Sequence, residues 1–205
     1  MKYDPEKHHR RSIRLKGYNY SQPGAYFVTI VTQDRECLFG EVVDGEMQLH
    51  DAGHMVCEEW NALPNRFPNV DLDAFIVMPN HIHGIIIITD AEPGPVGAGL
   101  VGAGLVPAPN GETPNGATTR VAPTLGDIVG ALKSVTTVRY IQGVKQSGWP
   151  LFRGRLWQRN YYEHIIRDEE SLHRIVEYIV TNPARWETDR ENPQAPHGIC
   201  LTDEP

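Results

Sequence analysis

The run Phe75-Ile-Val-Met-Pro-Asn-His-Ile-His-Gly-Ile-Ile-Ile-Ile88 constrains the fold of this chain more than any other stretch. Leu72 to Met78 and His81 to Thr89 are rich in β-branched and apolar residues, and Pro79-Asn80 between them is a turn pair with proline suited to the first central position. The run therefore reads as a hairpin. Successive side chains on a strand point to opposite faces, so His81 and His83 share one face. Two imidazoles side by side can grip one divalent metal from a single direction. Two ligands do not close a structural zinc site, which takes four. They leave a cation with open positions, the kind that polarises a phosphate. Taken alone, such a pair is more often two structural histidines satisfied within a core.

The formal charge of −7 over 205 residues argues against broad nucleic-acid affinity, because phosphate contacts need Lys and Arg. The distribution qualifies this. Lys2, Lys7, Arg10, Arg11, Arg14 and Lys16 make the N-terminus basic, and Lys133 to Arg174 holds eight basic residues against four acids. A basic face is compatible with that pattern. Cys37, Cys57 and Cys200 are odd in number and lack CxxC spacing, which disfavours a disulfide framework or a cysteine zinc site and fits a reducing cytoplasm. The charged N-terminus has no apolar signal-like segment, and Ile85 to Ile88 is too short to span a bilayer, so no membrane association is expected.

Further signals order the rest of the chain. Residues 1–24 read as a basic arm ending in a turn, and Ala25 to Thr32 as a first strand. Leu38 to Leu49 fits a short hairpin about Asp44-Gly45. Asp51 to Phe67 reads as a helix capped by Asp51, with Met55, Trp60 and Leu63 on one face and Pro64 ending it. In residues 90–123, Val96-Gly-Ala-Gly-Leu100 recurs at once as Val101-Gly-Ala-Gly-Leu105 among prolines; such composition reads as a flexible insertion. Thr124 caps a helix to Gly143 with Ile128, Leu132, Val135 and Val138 on its apolar stripe. Residues 149–152 and 156–157 read as short extended pieces. Asp168 caps a last helix to about Thr181, striped by Leu172, Ile175, Val176 and Ile179 and stopped by Pro183. Strand, helix, strand, strand, helix, helix predicts an α+β ferredoxin-like sandwich, an antiparallel sheet with helices mainly on one face. The domain is predicted to span residues 25–185, with 186–205 as a C-terminal tail.

Tyr178 and Asn182 lie four apart on the last helix, hence on one face. A phenol and a carboxamide beside a two-histidine metal make a coherent nuclease site, with the phenolate attacking phosphorus in line and the Asn182 oxygen available as a third ligand. An unassisted phenol ionises near pH 10, so the nucleophile needs a metal or a base. Tyr161 and Tyr162 are rivals for that role, or packing and base-stacking groups. Trp157, Gln158, Arg159, His164 and Arg167 interleave aromatic and basic character as single-stranded DNA binding requires, although a connector anchored in the core by Trp157 accounts for them equally. His164 is also a candidate proton shuttle. Lys133 and Arg139 stand on a helix's polar side.

Met78-Pro-Asn-His-Ile-His-Gly84 resembles the signature of the HUH endonucleases, and Tyr178-Ile-Val-Thr-Asn-Pro183 resembles the nucleophile helix of the single-tyrosine transposases. Gly24-Ala-Tyr-Phe-Val-Thr29, Arg35-Glu-Cys-Leu-Phe-Gly40, Lys133-Ser134 and Leu156 to Arg167 extend the likeness. The chain most resembles the REP-associated tyrosine transposases, over residues 10–90 and 124–185. That resemblance implies a DNA transposase that cleaves and rejoins single strands at hairpin-associated sites through a 5′-phosphotyrosine, with Mg²⁺ or Mn²⁺. It implies His81 and His83 as metal ligands, Tyr178 as nucleophile and Asn182 at the position of a metal-coordinating amide that is usually Gln in the insertion-sequence branch. Arg10, Arg11, Arg14, Lys133, Trp157, Gln158, Arg159 and Arg167 are the expected DNA contacts. The expected partner is a single-stranded, hairpin or palindromic DNA in the cytoplasm, at the nucleoid; both dimers and monomers occur among the proteins it resembles. A catalytically idle DNA-hairpin-binding regulator is the alternative.

Overall fold

A computed structural model describes residues 18–90 and 123–195. The basic residues Arg10, Arg11 and Arg14 and nearly all of the Gly/Pro-rich segment lie outside them. A four-stranded antiparallel sheet carries the architecture, in the order β4 (Val70–Val77), β5 (His81–Ile88), β1 (Gly24–Val31), β6 (Tyr162–Ile166). Two helices connect its strands, α1 (Asp51–Asn61) between β1 and β4 and α3 (Leu125–Ser147) between β5 and β6. This is the βαββαβ arrangement of a ferredoxin-like sandwich. The pair β2 (Gly40–Val43) and β3 (Glu46–Leu49) forms the small hairpin, and both Asp44 and Gly45 take positive φ, as a tight two-residue turn demands.

Period-two alternation gives each sheet face its own core. Tyr26, Val28 and Ile30 of β1 join Ile82, Ile86 and Ile88 of β5 against α1 and α3, where Met55, Val56, Trp60, Ile128 and Leu132 are buried. On the opposite face Phe27 and Ile85 meet Ile175 and Ile179 of α4 (Glu169–Thr181). The expected stripe of α4 is thus the one it buries. Each fully buried isoleucine contributes about 1.5–3 kcal/mol, which holds a helix too short to persist alone. Among the described residues, two of the three long helices cover one face, and α4 lies on the other, the face of the histidines.

Local signals explain most element ends. Thr124 and Asp127 form a reciprocal capping box at the start of α3, and Gly148, with φ of 69°, closes it four residues beyond the expected end. Asp51 is the first helical residue of α1 rather than its cap, and Pro64 opens a separate turn, α2 (Leu63–Arg66), rather than simply stopping α1. The inward stripe of α3 runs through Thr136 and Tyr140, leaving Val138 exposed; Thr136 is admitted because its hydroxyl bonds the Leu132 carbonyl and accepts from the Trp157 indole. Strand β6, not expected, pairs Thr29 with Tyr162 and Phe27 with His164. Of the expected tail, residues 186–195 are described: a 3-10 helix, Pro183–Thr188, turns back, and the Glu191 carbonyl docks on Asn80 of the β4–β5 turn.

Gly84 sits where the Trp60 indole, stacked on Phe75 with centroids 4.4 Å apart, passes over β5; a Cβ there would collide with that ring. Gly84→Ala is expected to destabilise the fold by about 1–3 kcal/mol through overpacking. Urea unfolding checks this, and an unchanged midpoint contradicts it.

Candidate metal and nucleophile site

His81 and His83 project from β5 toward α4, opposite Val31 and Thr29 of β1. Both are buried. Their Nε2 atoms lie 3.0 Å apart, and their Nδ1 atoms point away to separate partners, Asn80 Oδ1 at 2.8 Å for His81 and Thr29 Oγ1 at 2.9 Å for His83. A carboxamide oxygen only accepts, so the His81 Nδ1 carries the proton and its Nε2 presents a lone pair. The proton in the Nε2–Nε2 bond is then on His83, whose Nδ1 accepts from the Thr29 hydroxyl. Because a hydroxyl both donates and accepts, Thr29 serves either tautomer of His83.

Burial pushes the His81 imidazole down to about 3, and burial followed by the neighbouring His81 holds His83 well below its ordinary value. Two uncharged imidazoles are the form in which histidine ligates metal.

The phenol of Tyr178 reaches the same place. Its hydroxyl lies 3.5 Å from His83 Nε2, at the edge of hydrogen-bonding reach, with ring centroids 5.1 Å apart. Phe27 stacks on His83 and meets Tyr178 edge-on, fixing both rings. Residues 95 positions apart therefore converge because α4 crosses the sheet face on which the odd-numbered residues of β5 stand.

Asp189 is the group that the sequence reading missed. Ligand atoms of His81, His83 and Asp189 all lie within 4.8 Å of one another. Burial raises the Asp189 carboxyl, while hydrogen bonds from the Glu191 N–H and the Asn182 side chain pull it back down. The Asn182 amide nitrogen is thus turned to Asp189, and its Oδ1 is buried with no hydrogen-bond partner. Two neutral imidazoles and a carboxylate are a donor set that could hold a divalent cation. Asp189 carries no motif; the Trp186 just before it, whose ring lies 6.1 Å from His81, is the one sign that this segment packs.

The expected DNA contacts separate. Trp157 belongs to the core, packed on Phe39 with its indole N–H donated to Thr136, so its burial supports the anchoring reading and leaves no ring face for a base. Lys133 donates to the carbonyls of Gln158 and Asn160 and lies over the Tyr161 ring, and Gln158 bonds the Thr32 carbonyl. These three hold the loop before β6. Arg159 and Arg167 are exposed. Tyr162 meets Phe27 edge-on. His164, on the site face of β6, is half-buried and shifted down by burial and then by Arg167. Arg139 is not simply solvated: it bridges Glu58 and Glu59, tying α3 to α1. Among the described residues no helix is long and apolar enough to cross a membrane.

No family model matches the chain. A protein of Haemophilus influenzae, described only as uncharacterized, is 42% identical over 192 residues, covering 92% of this chain and 96% of its own length. Among solved structures, a REP-associated tyrosine transposase bound to a REP hairpin aligns over 85% of this chain and 74% of its own, at 17% identity and a TM-score of 0.49. A Deinococcus radiodurans R1 protein, described provisionally as a transposase, aligns over 82% of this chain and 96% of its own, at 20% identity and a TM-score of 0.40.

In the absence of metal, stability is expected to fall as pH drops. An unfolded histidine takes up a proton near pH 6.5, whereas folded His81 resists until about 3, so the unfolded state binds more protons between those values. The contribution is complete above about pH 6.5, and below it His81 alone gives a slope approaching about 1.4 kcal/mol per pH unit. Urea unfolding in chelator at pH 7, 6 and 5 checks this; a flat profile contradicts it.

Proposed function

We propose that this chain, which belongs to one family with the Haemophilus influenzae protein, is a metal-dependent tyrosine transposase that cleaves and rejoins single-stranded DNA at hairpin-associated sites. The observation that carries this reading is the approach of the Tyr178 hydroxyl to within 3.5 Å of the buried His81–His83 pair. A tyrosine held there by Phe27 and α4 is in place to act as a nucleophile; the same ring placed for packing alone has no need of an imidazole neighbour.

His81, His83 and Asp189 would hold the cation, Mg²⁺ or Mn²⁺, with the Asn182 oxygen as a further acceptor. A divalent cation supplies polarisation of a phosphodiester oxygen and neutralises charge developing in the transition state. The remaining roles fall to the protein. The Tyr178 phenol gives up its proton and its oxygen bonds to phosphorus as the bond from phosphorus to the 3′ oxygen breaks. That oxygen leaves and takes up a proton, so atoms and charge balance. The 5′-phosphotyrosine keeps the ester linkage, which another 3′-hydroxyl reverses to join a new strand. Exposed Arg159 and Arg167 are suited to phosphate contact, as are Arg10, Arg11 and Arg14 on the N-terminal segment.

Tyr178→Phe is expected to abolish nicking of single-stranded hairpin DNA in Mn²⁺ while leaving DNA affinity and its salt dependence within about twofold. A gel assay of cleavage beside a binding titration checks this; undiminished cleavage contradicts the assignment. His83→Ala is expected to remove the metal-dependent cleavage, and cleavage persisting in chelator would exclude the metal site.

A further inference from the structure

We propose that Asn80 is a positioning residue for the histidine pair, one that fixes which nitrogen of His81 faces the cation site and ties that choice to the C-terminal segment bearing Asp189. The inference rests on the site reading given above, although not on the DNA chemistry.

Asn80 is completely buried. Its amide nitrogen donates twice, to the carbonyl of Arg35 at 3.0 Å and to the carbonyl of Glu191 at 2.7 Å. Both partners accept only, so the amide cannot be turned over; the reverse orientation would set its oxygen against two carbonyl oxygens. Its oxygen is therefore committed to His81, where it accepts from Nδ1–H at 2.8 Å. The backbone beneath is also held, by Thr32 N–H on the Asn80 carbonyl and by Leu38 and Phe39 N–H on that of Pro79. One buried carboxamide thus decides that His81 presents the lone pair of Nε2. Thr29 makes no such decision for His83, since its hydroxyl suits either tautomer.

The same contact spans the site. Glu191, whose carbonyl holds Asn80, donates its N–H to Asp189 at 2.6 Å, and its carboxylate is clamped by Arg35 at 2.8 Å. His81 and Asp189 are 108 residues apart in sequence, by subtraction of their numbers, and are tied through Asn80 and the Glu191 backbone. Loss of the Asn80 side chain frees both ends at once. Partners of this kind typically govern metal affinity 10–100-fold.

The test uses the full chain labelled with ¹⁵N-histidine, in chelator at pH 7.5, read by long-range proton–nitrogen correlation. His81 is expected as a single Nδ1–H tautomer. Asn80→Ala is expected to give mixed tautomers at His81 and to weaken binding of Zn²⁺, used alone as the probe, about 10–100-fold. A wild-type His81 protonated on Nε2 overturns the proposal, and so does an Asn80→Ala protein that keeps both the tautomer and a Zn²⁺ affinity within twofold of wild type. Should that variant not fold, the wild-type tautomer decides alone. Failure of the transposase reading appears separately, as the absence of a phosphotyrosine adduct from a protein whose His81 tautomer is as stated.

Discussion

The antiparallel pairing of β5 with β1 sets the face on which the candidate functional side chains stand. Thr29 opposite His83 and Val31 opposite His81 place both imidazoles on the α4 side of the sheet, while Ile82 and Ile86 go to the α1–α3 side. A slip of one residue would exchange these sets, burying two histidines among Met55, Trp60 and Leu132 and delivering isoleucines to Tyr178. Register thus serves both faces: the apolar pattern that fills the larger core aims the two imidazoles at the smaller one.

Burial of both imidazoles and of the Asp189 carboxyl on the smaller face is tolerated because these three groups have matched partners. His81 has Asn80, His83 has Thr29, and Asp189 has the Glu191 N–H and the Asn182 amide. Burial disfavours the charged form of each imidazole, since a charge taken out of water is costly. Neutral imidazoles are the form that could hold a cation there. Asn182, whose amide also reaches Asp189, keeps a buried Oδ1 without a hydrogen-bond partner.

Much of this was legible in the chain because the signals are local. The alternation at His81-Ile82-His83, the Pro79-Asn80 turn, the Thr124 and Asp168 caps and the stripe of α4 each depend on neighbours within a few residues. What stayed hidden depends on distant partners. Strand β6 has no apolar alternation because all five of its residues are half-buried at an edge, so only its pairing with β1 defines it. Trp157 and Lys133 look like nucleic-acid contacts until Thr136 and the carbonyls of Gln158 and Asn160 are seen to claim them. Asp189 lies past a proline stop in polar sequence, and its place beside the histidines goes with the docking of the Glu191 backbone on Asn80.

In the proposed function a single phenol, carried to a buried histidine pair by α4, forms a covalent bond to DNA. Incubation of the full chain with single-stranded hairpin oligonucleotides and Mn²⁺, followed by proteolysis and mass spectrometry of the adduct, tests it most directly. The account predicts a 5′-phosphonucleotide on Tyr178. An adduct on Tyr161 or Tyr162, or cleavage of the oligonucleotide with no protein-linked product, would contradict it.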